Sequence, residues 1–377
     1  MSESLRVELI DTRSRLASLE DEWRQLLRNS TAPIFLTWEW LSVWWDVFGD
    51  DCQPWVWTVR LPDGRLIGLA PFARRVVNTR AGISYRVVTF LGAGKPSPDH
   101  LDLVVDADHR AAATDALTAT LVPQCDRTTV LSLAGVAGGS ALLACLGSLR
   151  GYRQLSSESC PFVRLPDNWD TYRRTLGAKL QSHLEYSIRR LEKEHPTGVG
   201  IDHIDSEADL DSAMEGLFQL HTAVREDHGD TGAFADERMR VFHQRVARLL
   251  LRNGWLRLYR LRVNGAAIAW LYCFRYKNVV SYYQSGYDQH WKRYSPGSLI
   301  IAHAIRSAIE EGAAEFDFLR GPEAYKLRWT QAVRDDFNLE YSRNVVRRLH
   351  HFCADAAVFL RHRFGTYRER LGLSANT

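Results

Sequence analysis

The chain has 377 residues, of which 45% are hydrophobic and 25% are charged, and its formal net charge is +3. This composition excludes a disordered chain and leaves room for two domains of about 150 residues each. Only six of the 48 basic residues are lysines. Arginine is therefore the ordinary surface cation here, and its abundance does not indicate binding to DNA.

The N-terminus lacks the basic start and apolar core of a signal peptide, and no run approaches the roughly 18 apolar residues of a membrane span. These features predict a cytoplasmic protein without a membrane span. The six cysteines lie far apart and form no CxxC pair, which argues against zinc and against a disulfide framework. The histidines are dispersed as well, so no metal is expected.

The first half of the sequence alternates helical and extended patterns. Helices are predicted over residues 17–27 and 35–48, and in the second of these the aromatic residues recur every three or four positions. That spacing is typical of core packing, although Trp38 is also a candidate for substrate binding. The Asp63-Gly64 turn predicts a hairpin of residues 55–61 and 65–73. Further strands are predicted over residues 85–91, 101–105, 129–133 and 162–165, and helices over 110–121 and 140–149.

The second half repeats part of this pattern. An apolar stripe predicts a helix over residues 180–191, and the Asn264-Gly265 turn predicts a hairpin of residues 255–263 and 266–276. The echo of the first hairpin suggests two copies of one architecture. Between two predicted helices lies a charged loop that begins at Arg225, which either binds an acceptor or is a solvated helix end. The remaining predictions are helices over residues 207–224, 236–251 and 299–311 and a strand over 279–285.

The segment 316–329 carries the strongest functional signal. A buried strand containing Asp317 ends at Arg320, and an aromatic and basic cluster follows at once. Such a cluster can stack on, or pair with, an anionic or carbonyl-bearing ligand. The alternative is a structural ion pair between Asp317 and Arg320. The members of the cluster are Tyr325, Lys326, Arg328 and Trp329.

A helix start precedes this segment. Ser295 is a plausible N-cap, and Pro296 suits the first helical position. Backbone amides at a helix start can hold a phosphate or a carboxylate. The candidate donor-binding residues around it are Ser285, Gly286, Ser295, Gly297 and Ser298.

The order of these elements resembles the GNAT-type acyltransferases of the CelD and FemAB-related group. The resemblance is strongest over residues 176–329, weaker over 33–105 and absent from the C-terminal tail. It implies a mixed α/β (α+β) fold with two tandem GNAT-like domains, each a mixed, mostly antiparallel sheet flanked by helices. We expect these domains over residues 1–165 and 166–345, the second holding the active site, and a helical tail over 346–377.

The resemblance also implies chemistry, in which an amine directly attacks an activated acyl group. Tyr325 and Lys326 fall where FemX-like relatives place an aromatic-lysine pair beside donor and acceptor. Lys326 would stabilise negative charge or hold the acceptor, and Tyr287 or Tyr325 would protonate the leaving group. Asp288 or Asp317 would be the base or an orienting group. Substrate contacts are expected from Arg320, Arg328, Trp329, Asp99 and Asp102, although the two first-half aspartates equally fit a solvated turn.

The donor remains open at this stage. The usual GNAT signature for acyl-CoA, with two closely spaced glycines, is missing, because residues 290–298 offer only Gly297. We expect acetyl-CoA or another acyl-CoA as the donor and a sugar or metabolite amine as the acceptor. Aminoacyl-tRNA is the alternative donor. A non-catalytic binding subunit of polysaccharide or envelope assembly is the alternative to an enzyme.

Overall fold

The computed structural model describes residues 5–78, 82, 84–227 and 232–343. The predicted helical tail over residues 346–377 lies outside these ranges, as does the middle of the charged loop that follows Arg225.

The first half of the chain is built from short helices and strands. In chain order they are β1 (Arg6–Ile10), α1 (Arg13–Ala17), α2 (Glu20–Arg28), α3 (Trp38–Phe48), β2 (Gln53–Pro54), β3 (Val56–Arg60), β4 (Leu66–Ala70), β5 (Phe72–Asn78), β6 (Ser84–Phe90), β7 (Val104–Val105), α4 (Arg110–Gln124), β8 (Thr129–Ala137), α5 (Ala141–Gly147) and β9 (Tyr152–Arg164).

The second half has longer helices. Its elements are α6 (Trp169–Thr175), α7 (Ala178–Glu194), β10 (Val199–His203), α8 (Glu207–Asp227), α9 (Glu237–Arg252), β11 (Leu256–Val263), β12 (Ala266–Tyr276), β13 (Val279–Tyr287), α10 (Pro296–Glu310), β14 (Glu315–Asp317) and β15 (Val333–Ser342). No helix among the described residues is both long enough and apolar enough to cross a membrane.

Both predicted hairpins are confirmed. Strands β3 and β4 pair antiparallel, as do β11 and β12. In the second turn Asn264 and Gly265 have φ angles of 51° and 84°. Two consecutive positive φ angles define the turn whose twist matches the flanking strands, which explains the Asn-Gly sequence there.

Within the described residues the strands form one sheet of four, in the order β1-β3-β4-β7, and one of eleven that runs through both halves. The order of the larger sheet is β10-β11-β12-β13-β14-β9-β15-β8-β6-β5-β2. Most pairs are antiparallel, but β6 with β8 and β13 with β14 are parallel, one such pair in each half. The fold is therefore mixed α/β, as predicted, with helices on the sheets.

Strand β15 connects the two halves. It lies between β9 and β8 and pairs antiparallel with both, so a segment that follows the second-half helices in sequence completes the sheet of the first half. Strand β15 is not among the predicted strands, because its polar residues hide the alternation that marks a half-buried strand.

The aromatic residues of α3 also join the halves. The Trp40 side chain is fully buried, and its ring lies 5.0 Å from the ring of Phe242 and 5.7 Å from that of Phe274. Edge-to-face contacts of this kind add specific geometry to the large apolar area that each ring buries. The predicted core-packing role of this helix is confirmed, and the cleft described next lies along the joint that it supports.

Candidate functional site

A cleft of 620 Å³ lies between the loop 96–99 of the first half and the end of the sheet of the second half. Many predicted site residues line it together. They are Asp99, Arg225, Ser285, Tyr287, Gly297, Ser298, Arg320, Tyr325, Lys326 and Arg328.

The cleft opens where two parallel strands separate. The pairing of β13 with β14 ends at Ser281 and Asp317, although β13 continues to Tyr287. Beyond that point the chain after β14 turns away through Leu319 and Gly321, whose φ angles are 55° and 101°. The two strand ends therefore form opposite walls of an open slot.

A row of hydroxyl groups follows the β13 wall. The Tyr325 hydroxyl donates to the Tyr282 hydroxyl at 3.2 Å, and the Tyr282 and Ser285 hydroxyls lie 2.6 Å apart. Burial raises the pKa of Tyr325 and of Tyr282 above the usual range for a phenol. Both tyrosines therefore stay neutral near pH 7 and can pass a proton along the row.

Lys326 lies at the floor of the cleft, where its side chain is nearly fully buried. Its ammonium group donates to the backbone oxygen of Arg320 at 2.5 Å and lies 2.9 Å from the Glu323 carboxylate. An ammonium has three N–H donors, so a third can act on a ligand. The cation is thus held in place by two groups of its own segment.

Arg320 fixes the two halves across the cleft. Its Nε donates to the Asp99 carboxylate, its backbone N–H donates to the second Asp99 oxygen at 3.1 Å, and its Nη2 donates to the Pro98 oxygen at 2.6 Å. Burial raises the pKa of Asp99, while the adjacent Arg320 opposes that shift. Such a buried charged pair breaks only at a high cost.

The N-terminus of α10 forms one end of the cleft. Gly297 and Ser298 line the cleft there, and the first turn of the helix carries no acidic residue. Ser295 is the N-cap residue, but its side chain does not cap the helix, because its hydroxyl lies 2.8 Å from Nε2 of His183. The positive end of the helix dipole is therefore not offset by a nearby carboxylate of its own.

Asp317 lies outside the cleft, and the alternative of an ion pair between Asp317 and Arg320 is wrong. Its carboxylate contacts His100 and Arg334, at 2.8 and 2.6 Å, whereas Arg320 pairs with Asp99 instead. His100 also contacts Asp336, through Nδ1 at 2.8 Å. Burial alone would lower the pKa of His100, but the carboxylates outweigh it and raise that pKa to about 10. This cluster holds the loop that carries Asp99.

Five other predicted site residues and Ser295 do not line the cleft. The Asp288 carboxylate accepts from the His290 backbone at 2.9 Å, and Asp102 accepts from Ser140 at 2.5 Å. Trp329 is buried, and its backbone oxygen accepts from the Tyr172 hydroxyl at 2.9 Å. Of the two remaining residues, Gly286 lies against the α8 backbone, and Trp38 lines a different cavity.

Several cleft residues were missed at the sequence level. Tyr282, Tyr283 and Gln284 precede Ser285 on β13, and Glu323 follows the Arg320 turn. The two adjacent tyrosines on a predicted strand were the sequence feature that could have indicated them.

His100, Cys160 and Asp336 bring possible metal-ligand atoms within 4.8 Å of one another, but both His100 nitrogens already contact carboxylates, so this set does not fit a metal.

Comparison with known proteins identifies a family model that matches part of the chain. Residues 178–327 match the family model described as acetyltransferase (GNAT) domain. No curated protein sequence matches the chain.

Among solved structures, FemX is similar over 88% of this chain and 98% of its own, with a TM-score of 0.61 and 12% identity. A Bacteroides thetaiotaomicron protein of unknown function is similar over 89% and 100%, with a TM-score of 0.54 and 12% identity. The C-terminal domain of a lysylphosphatidylglycerol synthetase from Agrobacterium fabrum, named as putative, is similar over 90% and 96%, with a TM-score of 0.53 and 11% identity. At these identities the likenesses show a shared fold.

Proposed function

Because residues 178–327 match the model of the acetyltransferase (GNAT) domain, we propose that this protein is an N-acyltransferase that moves an acyl group from acyl-CoA to an amine. The simplest donor is acetyl-CoA, and the acceptor is an amino sugar or a metabolite amine. Both substrates occupy the cleft together, and the amine attacks the thioester directly.

The observation that carries this proposal is the slot between β13 and the segment after β14. A thioester donor with an extended, amide-bearing arm fits between two strands that separate, because β13 there has left its pairing with β14. The arm ends at the start of α10, where Gly297 and Ser298 line the cleft. A helix N-terminus without an acidic residue in its first turn suits a pyrophosphate.

The charge of the cleft supports an anionic donor. Four cationic residues line it against two carboxylates, which leaves a net charge of +2. Arg328 is exposed and has no ion-pair partner within the described part of the chain. The cationic residues are Arg225, Arg320, Lys326 and Arg328, and the acidic residues are Asp99 and Glu323.

The reaction requires one bond to form and one to break. The nitrogen lone pair of the neutral amine attacks the thioester carbon, the C–N bond forms, and the C–S bond then breaks. Lys326 stabilises the negative charge that develops on the carbonyl oxygen. Tyr325 gives its proton to the leaving sulfur and is reprotonated through Tyr282 and Ser285.

The proton lost by the amine needs an acceptor, and the predicted bases do not line the cleft. Glu323 and Asp99 are the carboxylates that do. Both Asp99 oxygens already accept from Arg320, whereas Glu323 is half-exposed and pairs through one oxygen with Lys326. Glu323 is therefore the better candidate for the base, and Asp288 and Asp317 are not retained in that role.

Thermal unfolding in the presence of acetyl-CoA, longer acyl-CoAs and CoA tests the donor. A ligand that binds the folded state alone stabilises it by RT ln(1 + [L]/Kd), so acetyl-CoA is expected to raise Tm, and to raise it further as its concentration increases. Release of free thiol with glucosamine as the acceptor probe then tests the transfer. Stabilisation without thiol release with any amine offered would favour a binding subunit.

If no CoA thioester raises Tm, the acyl-CoA proposal fails. The alternative donor is then aminoacyl-tRNA, which the FemX-like resemblance implies. Its binding would depend steeply on salt, because each phosphate contact releases counterions. A gel-shift titration at two salt concentrations separates this case from a protein that binds neither donor.

A further inference from the structure

A second cavity, of 430 Å³, lies on the far side of α3 from the core that faces β13. Its walls come from α1, α2 and α3, with Leu91 and Leu249 closing the remainder. Trp38, a predicted substrate contact that does not line the cleft, lines this cavity. Trp38 has no role in the proposed acyl transfer.

Three tryptophans contribute to the apolar part of the wall, together with several aliphatic side chains. Trp23, Trp38 and Trp45 all line the cavity, and the rings of Trp23 and Trp38 lie 5.9 Å apart at an angle of 62°. The Trp23 ring is fixed, because it is fully buried and its Nε1 donates to the Leu36 oxygen at 2.9 Å. Indole faces attract cations more strongly than any other side-chain ring.

Glu39 is one of the polar residues in the wall, and one of its carboxylate oxygens has no hydrogen-bond partner. The residue is only 3% exposed. Its Oε1 accepts from Arg24 Nε at 3.0 Å, but its Oε2 has no hydrogen-bond partner. A buried carboxylate oxygen without a donor costs free energy, and a ligand that carries an N–H group would remove that cost.

The other charges around the cavity are paired with one another. Arg24 also contacts Glu20 at 2.6 Å, while Asp46 contacts Arg13 at 2.5 Å and Arg245 at 2.6 Å. The charged residues that line the cavity itself are Arg13, Glu20, Arg24, Glu39 and Asp46, two cations against three acids. The lining is therefore net negative, and its one buried acceptor without a donor is on Glu39.

We propose that this cavity binds a small organic ammonium ion carrying at least one N–H group, with the charged ammonium end beside the Trp38 and Trp45 rings and its N–H toward Glu39. Aromatic faces beside a buried carboxylate recognise an ammonium by charge and shape together. This site is separate from the acyl-transfer cleft and does not depend on the proposed reaction.

Isothermal titration calorimetry on the full chain tests the site with three probes: butylammonium, its neutral analogue 1-butanol, and tetramethylammonium, which has no N–H. We expect butylammonium to saturate below about 10 mM and to bind about tenfold more tightly than either other probe. Binding of 1-butanol with equal affinity, or no saturation by butylammonium, would refute the proposal.

Two variants locate the binding. Trp38→Leu, at a half-buried position, and Glu39→Gln, which keeps the shape of the side chain, should each weaken butylammonium binding about tenfold. Trp169→Leu changes a half-buried tryptophan in another part of the fold and should leave the affinity unchanged. Wild-type affinity in folded Trp38→Leu would overturn the site even if Glu39→Gln failed to fold.

Discussion

His100 Nε2 lies 2.8 Å from the Asp317 carboxylate, a contact between the two halves of the chain across 217 residues of sequence. The opposite ring nitrogen of His100 contacts Asp336 at 2.8 Å. The imidazolium thus lies between two buried carboxylates, one at the end of β14 and one on β15. The next residue toward the N-terminus is Asp99, which lines the cleft. The contacts of His100 therefore hold in place the loop that carries Asp99 in the cleft wall.

Removing the imidazole should destabilise the fold. In His100→Gln, Asp317 and Asp336 lose the cation that lies between them, and a broken buried pair costs about 3–5 kcal/mol. The loss should appear as a lower free energy of unfolding in urea at pH 7. The matched change His290→Gln, at a side chain 93% exposed, should have little effect.

The same contact predicts a pH dependence. The folded pKa of His100, about 10, lies above the ordinary value of 6.5. A raised pKa means that this stabilisation is complete below pH 6.5 and is lost as the pH rises through about 10. The difference in unfolding free energy between wild type and His100→Gln should therefore shrink from pH 7 to pH 10. A difference that stays constant over that range would contradict a charged His100.

Two glycines near the cleft should respond in opposite ways to alanine. A Cβ at Gly286 would lie 2.3 Å from the backbone nitrogen of His221, so α8 would have to move, and Gly286→Ala should cost about 3 kcal/mol or prevent folding. A Cβ at Gly297 would meet only the Tyr287 ring, at 3.7 Å.

Gly297→Ala should therefore keep or slightly raise stability, because alanine favours a helix by up to about 1 kcal/mol over glycine. The added methyl group projects at the helix start where we place the donor pyrophosphate. We expect the Kd for acetyl-CoA to rise about tenfold. Unchanged acetyl-CoA affinity in a folded Gly297→Ala protein would argue against donor binding at α10.

Local patterns predicted the elements of this fold better than their long-range contacts. The Asn264-Gly265 turn and the apolar stripe of α7 depend on neighbours in sequence, and both predictions are confirmed. The pairing of β15 with β8 depends on residues some two hundred positions apart, and nothing local encodes it. The alternative of an Asp317–Arg320 ion pair is wrong for the same reason, because the observed partners His100 and Asp99 come from a distant loop.

Tyr325→Phe should lower kcat without weakening substrate binding. The hydroxyl that we assign to protonation of the leaving sulfur is lost, and general acid catalysis of this kind contributes about 10²–10⁴-fold. Tyr282→Phe interrupts the route of reprotonation and should have a smaller effect, about tenfold. Tyr186, a side chain 58% exposed on α7, provides the control.

Steady-state thiol release measures kcat and KM for the three tyrosine variants. Burial raises the pKa of Tyr325, so the wild-type rate should show no loss from tyrosine ionisation at moderately alkaline pH. Equal kcat in Tyr325→Phe and Tyr186→Phe would exclude Tyr325 as the acid.

Lys326 separates a catalytic from a structural contribution in the cleft. Lys326→Met keeps most of the volume of a nearly fully buried side chain but removes the charge, so packing against the floor of the cleft should survive. Its ion-pair partner Glu323 is half-exposed and stays solvated after the change. If the ammonium stabilises the developing oxyanion, kcat/KM should fall about 10²–10³-fold while Tm changes little. Lys179→Met, on the exposed face of α7, is the control for loss of a lysine charge. The contrary outcome is a lower Tm, a matching loss of folded protein and a normal kcat in the folded fraction. Lys326 would then have a structural role, in which its hydrogen bond to the Arg320 oxygen stabilises the Arg320 turn.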